Sequence, residues 1–181
     1  PVSYILNDCI VEVWGYKKAR LVIWTGFAMN FFVVLTAQLV RLLPAAPFWD
    51  GGAHFDYVFA LAPRITLASM LAFVSGSSVN AWVMSRMKVA SSGKRFSLRA
   101  IVSTIAGETI DSLIFFPIAF WGLEAGNMLK LMLTQIIVKT LYEIIILPVT
   151  MTVVKKVKKI EGEDVYDGHI SYNPFKIGDL R

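Results

Sequence analysis

The chain has a single cysteine, Cys9, and two histidines, His54 and His169, among its 181 residues. One cysteine excludes an internal disulfide framework and any multi-cysteine metal site. Neither histidine belongs to an H-E-x-x-H pattern, and the sequence contains neither a nucleophile elbow nor a glycine-rich phosphate loop. It therefore points to no enzyme, no cofactor and no bound metal, and the chain cannot hydrolyse ATP by itself. Charge is also scarce. Only 17% of residues are charged and 56% are hydrophobic, against about 25% and about 45–50% in soluble domains.

What is present is length in apolar runs. A bilayer core about 30 Å thick needs about 20 apolar residues per helix. Four stretches qualify, at 21–43, 57–85, 98–122 and 128–154, and residues 1–16 read as half of another span. The start at Pro1 leads us to expect further helices ahead of it. The basic residues gather in alternate connections: Lys17, Lys18 and Arg20 before the first full span, Arg86 to Arg99 between the second and third, and Lys155 to Lys159 after the fourth. The opposite loops carry little positive charge. This positive-inside asymmetry places the C-terminus, the 86–99 loop and residues 17–20 in the cytoplasm. It also argues against a basic surface for nucleic acid, despite a net charge of +5. The expected fold is an all-α, polytopic helical membrane protein, with residues 1–159 as a transporter domain and 160–181 as a polar cytoplasmic tail.

Polar residues inside the spans carry the functional signal, because a carboxylate in hydrocarbon costs about 2.5–3.5 kcal/mol even on insertion scales. In the third span Ser103, Gly107 and Asp111 recur at every fourth position, and Thr104, Glu108 and Ser112 do so one position along. These two rows make one polar face on the helix. Gln135, Lys139 and Glu143 form a stripe of the same spacing on the fourth span. Asp111 and Lys139 both fall roughly 16 Å from the outer ends of their helices, which makes them expected partners near the midplane. Glu108 and Glu143 should lie a turn nearer the cytoplasm. With Asp8, Glu12 and Arg64, these residues set five acids against two bases. Ala68, Ala72 and Gly76 line one side of the second span, where small residues admit close helix packing, and Asn80 continues that row. Pro117 and Pro148 are expected to kink their helices.

The segments NDCIVEVWGYKKAR at 7–20, RITLASMLAFVSGSSVNAWVM at 64–84 and STIAGETIDSLIFFPIAFWG at 103–122 resemble the VUT family of queuosine-precursor transporters. The likeness covers about residues 1–155 and leaves out the tail. It implies a six-helix architecture, of which about four and a half spans are present here. It also implies import of 7-cyano-7-deazaguanine, 7-aminomethyl-7-deazaguanine or queuine for tRNA modification. By the same resemblance Asp8, Glu12, Arg64, Ser69, Asn80, Ser103, Asp111 and Lys139 would surround the substrate path, with Glu108 beside them. The chemistry of the residues suits a purine-like small molecule: a carboxylate accepts the ring N–H and exocyclic amine together, and Lys139 or Asn80 meets the carbonyl. Glu108 is expected to favour a cationic precursor. Membrane lipid is the surrounding partner; a separate ATP-driven energising module or a homo-oligomer is a further expectation. The competing readings are a substrate-binding subunit that depends on such a module and a structural membrane protein.

Overall fold

A computed structural model describes residues 2–60, 62–168 and 170–176. Pro1, His169 and residues 177–181 of the expected tail lie outside the described residues. The elements are α1 (Val2–Arg41), α2 (Gly52–Ala60), α3 (Ala62–Ala90), α4 (Phe96–Ala119) and α5 (Ala125–Glu161), with no strand among the described residues. Four of them, all but α2, are long and apolar enough to cross a membrane. The protein is an all-α polytopic membrane protein.

Element α1 is two helical arms that meet at Gly15, whose φ of 80° and ψ of 178° lie in a region essentially reserved for glycine. The arms fold back on one another: Ser3, Leu6, Asn7 and Ile10 from the first share one pocket with Val22, Ile23 and Gly26 from the second, closed by Phe73 and Ser77 of α3. The first arm runs beside α3 toward the C-terminal end of that helix, with Asn7 at Ser77 and Glu12 at Lys88. The second arm returns along α3 until Phe31, Val34 and Gln38 face Thr66, Leu67 and Met70.

Helices α3 and α4 form the most intimate pair. A Cβ added to Gly76 would stand 2.9 Å from the backbone oxygen of Gly107, and one added to Gly107 would stand 2.9 Å from that of Gly76. Backbones can approach this closely only without side chains, and dispersion between them then replaces the hydrophobic drive that lipid cannot supply. Tyr4 of the first arm wedges into the crossing against both glycines. Ala68 and Ala72 are buried along the same face of α3.

The expected second span at 57–85 is divided differently. Residues 52–60 form the short α2, tied to the first span by Gln38 Nε2 to the Phe59 carbonyl at 3.0 Å and by the Arg41–Asp56 ion pair at 2.9 Å. The spanning helix then continues to Ala90, with Pro63 in its first turn, where a missing N–H costs nothing. Helix α5 passes through Pro148 and runs beyond the expected end at 154 to Glu161; at 37 residues it is about 55 Å long, more than a bilayer core requires. Its basic end, with Lys158 and Lys159 in the last turn, therefore extends past the apolar span.

The tail does not hang free. A helix ending at Trp14 leaves carbonyls without intrahelical donors, and one restarting at Tyr16 leaves free N–H groups. Lys88 Nζ donates to the Glu12 carbonyl at 2.5 Å, and the tail's Val165 N–H donates to that of Val13 at 3.1 Å. The Asp167 carboxylate accepts from the Tyr16 backbone N–H at 2.8 Å and from Ser85 Oγ at 2.5 Å, so it caps the second arm from a distant part of the chain. Farther along, Trp24 Nε1 donates to the Pro174 carbonyl at 2.7 Å, and Arg20 Nη1 donates to that of Asn173 at 2.8 Å.

Asp164 accepts from Lys88 at 2.6 Å and Lys158 at 2.8 Å. Partial burial pushes its carboxyl up, but hydrogen bonds and charge from the two lysines outweigh burial and hold it below the ordinary carboxylate range. A carboxyl lowered in the folded state contributes stability that is complete above its unfolded value, about pH 4, and that fades as pH falls through the lowered value. The tail should thus stay docked from neutral pH down to about pH 4. Asp167→Ala should undock it at neutral pH by removing about 2 kcal/mol of charge-assisted bonding. Hydrogen exchange over 162–176 reads both effects, and unchanged protection in Asp167→Ala would refute the capping role.

Candidate functional site

Four elements bring polar side chains into a continuous seam through the bundle. At its centre the buried Asp8 carboxylate accepts from Asn80 Nδ2 at 3.0 Å and from Ser103 Oγ at 3.3 Å, which joins α1, α3 and α4. Asn7 Nδ2 donates to Asn80 Oδ1 at 2.5 Å and to the Ser77 carbonyl at 3.1 Å. Glu143, buried on α5, adds a carboxyl to the seam from the fourth element.

One turn farther from Gly15 stands the Lys139 group. Lys139 Nζ lies 2.6 Å from Glu108 Oε2 and 3.8 Å from Asp111 Oδ2. The expected partnership of Asp111 with Lys139 is therefore secondary. The long lysine chain closes on the fully buried Glu108, where desolvation makes compensation most valuable, and Asp111 takes its donor from Gln135 Nε2 at 3.2 Å. The Lys139 side chain is 25% exposed and that of Asp111 16%, so this edge of the seam is partly exposed.

Three residues before Gly15, Glu12 is locked between Arg99 Nη1 and Lys158 Nζ, each at 2.6 Å. Arg99 and Lys88 count as loop charges in the sequence, yet both are buried. Arg64 departs from the expected site. It is exposed, and its Nη2 donates to the Ala119 carbonyl at 2.6 Å, where a cation suits the C-terminal end of α4. Ser69 is half-buried and makes no side-chain hydrogen bond described for this site. The residue that sequence reasoning missed is Tyr4, although Tyr4, Asp8 and Glu12 share the four-residue spacing used for the other helices. Asn7 carries a weaker signal, as an amide next to an intramembrane acid.

Several buried polar atoms of the seam lack a hydrogen-bond partner among the described residues: Tyr4 Oη, Asn7 Oδ1, Thr104 Oγ1, Glu108 Oε1 and Glu143 Oε2. Each such atom costs about 1–3 kcal/mol if nothing meets it. Their convergence on Asp8 and Glu108 describes a place prepared for further polar atoms. No group of acids, histidines or cysteines among the described residues has the geometry of a metal site.

The family profile described as "Putative vitamin uptake transporter" matches residues 1–153. The chain belongs to this family. Among its relatives is the "Probable queuosine precursor transporter" of Bacillus subtilis (strain 168), 26% identical over 147 residues that cover 80% of this chain and 64% of the relative. The "Queuosine precursor transporter" of Escherichia coli (strain K12) is 31% identical over 124 residues, 67% of this chain and 52% of the relative. A "Probable queuosine precursor transporter" of Haemophilus influenzae (strain ATCC 51907 / DSM 11121 / KW20 / Rd) is 27% identical over 125 residues, 67% and 49%. The chain thus spans from about half to just under two thirds of the length of these relatives. No solved structure matches it significantly. The family is one of transporters, not enzymes, and its match ends before the tail that caps Gly15.

The Lys139 pairing can be tested by stability. Lys139→Met leaves the Glu108 and Asp111 carboxylates facing one another and should cost about 3 kcal/mol, the range for breaking a buried pair. Glu108→Gln in the same chain should recover most of that loss by removing the stranded charge. Thermal unfolding of the purified protein measures both variants; an unchanged melting point for Lys139→Met would show that the pair carries no such weight.

Proposed function

We propose that this chain forms the translocation path of an inner-membrane importer of queuosine precursors, with the seam from Asp111 to Glu12 as the route. The observation that carries this reading is the partly exposed edge at Asp111, Gln135 and Lys139, continuous with a closed seam of unpartnered buried polar atoms. The names of the relatives support the substrate class. A 7-deazaguanine edge presents a ring N–H and an exocyclic amine, which the Asp111 carboxylate accepts together, while Lys139 or Gln135 donates to the ring carbonyl. Transfer inward brings the ligand to Asn80, Ser103 and Asp8, whose free lone pairs and hydroxyl meet the same edge. The Gly76–Gly107 crossing closes the route, so passage requires Tyr4 and the first arm to move.

This arrangement revises the role expected of Glu108. Lys139 already compensates its charge, so Glu108 supports the binding lysine and does not select a cationic precursor. Arg64 serves the end of α4 and Glu12 the lock near Gly15, which leaves Asp111, Lys139, Asn80, Ser103 and Asp8 as the substrate contacts.

The test is uptake of labelled 7-cyano-7-deazaguanine by cells that lack their own importer and express the full-length protein. Wild type should accumulate label. Asp111→Asn, present in the membrane at equal level, should lose about tenfold or more, the value of one charge-assisted hydrogen bond. Absence of uptake by well-inserted wild type would contradict the substrate class; full uptake by Asp111→Asn would remove Asp111 from the path.

A further inference from the structure

The first arm of α1 carries Tyr4, Asp8 and Glu12, and Gly15 joins it to the second arm. A backbone at φ 80° and ψ 178° is open to glycine alone, so the arms meet at a single hinge residue. Roughly 16 Å of helix lies between Gly15 and Tyr4, at about 1.5 Å per residue. A swing of about 20° at Gly15 therefore moves Tyr4 by about 6 Å. That is enough to withdraw its ring from the Gly76–Gly107 crossing.

The tail sits directly on this hinge. A Cβ on Gly15 would stand 2.7 Å from Asp167 Oδ1 and 2.9 Å from Val165 Cγ1. Both sides of Gly15 are held: Val165 N–H donates to the Val13 carbonyl of the first arm, and Asp167 accepts from the Tyr16 N–H of the second. Two further helices are tied to the same segment. Lys88 of α3 donates to the Val165 carbonyl at 2.7 Å, and Lys158 of α5 donates to both Asp164 and Glu12. Asp167 is the centre of the attachment. It is 6% exposed and takes Ser85 Oγ as a second donor, while Tyr172 Oη stands 3.1 Å from that hydroxyl and donates to the Asp167 carbonyl at 3.0 Å. The other end of the first arm is held less firmly, since Tyr4 Oη has no hydrogen-bond partner among the described residues.

We propose that the tail is a clasp on the Gly15 hinge. Docked, it holds the first arm across the seam; released, it lets that arm swing and uncover Asn80 and Ser103. Asp167 is then a positioning residue, which acts on the seam through the first arm. The tail lies beyond the family match, which ends at residue 153, so this control belongs to a segment outside the shared body. The inference rests on the transport reading above for the use of the motion, but the motion itself can be read without any substrate.

The test uses the purified full-length protein with Cys9→Ser and Ser103→Cys, a position fully buried and bonded to Asp8 of the first arm. A water-soluble methanethiosulfonate reagent should label this thiol about tenfold or more faster when Asp167→Ala is added, the weight of one charge-assisted hydrogen bond. Asp167→Asn should restore most of the protection, because its amide oxygen still accepts from Tyr16 and Ser85. Trp24→Phe removes only the bond to the Pro174 carbonyl and should raise labelling less. As a control, Ala119→Cys in place of Ser103→Cys places a buried thiol at the far end of α4, and its labelling should be the same in every variant. Equal labelling at 103 with and without Asp167 overturns the clasp. An equal rise at 119 overturns it too, since that is general loosening. If Asp167→Ala does not fold, absence of any rise in Trp24→Phe overturns it instead. Labelling as expected without uptake of a 7-deazaguanine upholds the clasp and rejects the substrate.

Discussion

The hydrogen bond from Asn80 Nδ2 to Asp8 Oδ1, 3.0 Å long and wholly buried, fixes where the half-length first arm of α1 meets the membrane-spanning pair α3 and α4. In lipid an unsatisfied polar group has no water to turn to, so the amide and the carboxylate hold one another in one register. From that register the rest follows. Tyr4, one turn before Asp8, enters the Gly76–Gly107 crossing, and Glu12, one turn after, meets Arg99 and Lys158. The Gly15 reversal then falls at the end of the bundle where the tail caps it.

Three levels of charge are stacked along the bundle, and each solves the cost of burial differently. The level farthest from Gly15 pairs two acids with one lysine and stays partly exposed. The middle level has two acids and no cation. The level nearest Gly15 binds one acid to two cations and covers them with the tail. The first two levels each hold more acid than cation, and each has an unpartnered buried carboxyl oxygen, Glu108 Oε1 in the one and Glu143 Oε2 in the other. A transporter needs such an imbalance, because a fully satisfied network has nothing to gain from a ligand.

The sequence exposes much of this. Apolar runs mark the spans, and the four-residue spacing of Ser103, Gly107 and Asp111 and of Gln135, Lys139 and Glu143 marks the faces that meet. The resemblance to the family rests on the same segments that build the seam. Other features follow from contacts between distant segments and stay hidden. Lys139 chooses Glu108 over Asp111 because its reach exceeds one helical turn, which counting residues from the helix ends does not capture. Arg99 and Lys88 read as loop charges, yet the ends of the first arm draw them inward. Tyr4 reads as an ordinary aromatic until the two glycines it fills come together. The tail reads only as a polar segment until Gly15 exposes the backbone groups that Asp167 and Val165 satisfy.

The central claim is that the seam is the route of a 7-deazaguanine. Photo-crosslinking with a 7-deazaguanine derivative that carries a small photoreactive group, followed by mass-spectrometric mapping of the adducts, tests it most directly. The account predicts adducts within 4–12, 76–80, 103–112 and 135–143, competed away by unlabelled precursor. Competed adducts confined to the outward faces, such as Phe31 and Leu67, would contradict it.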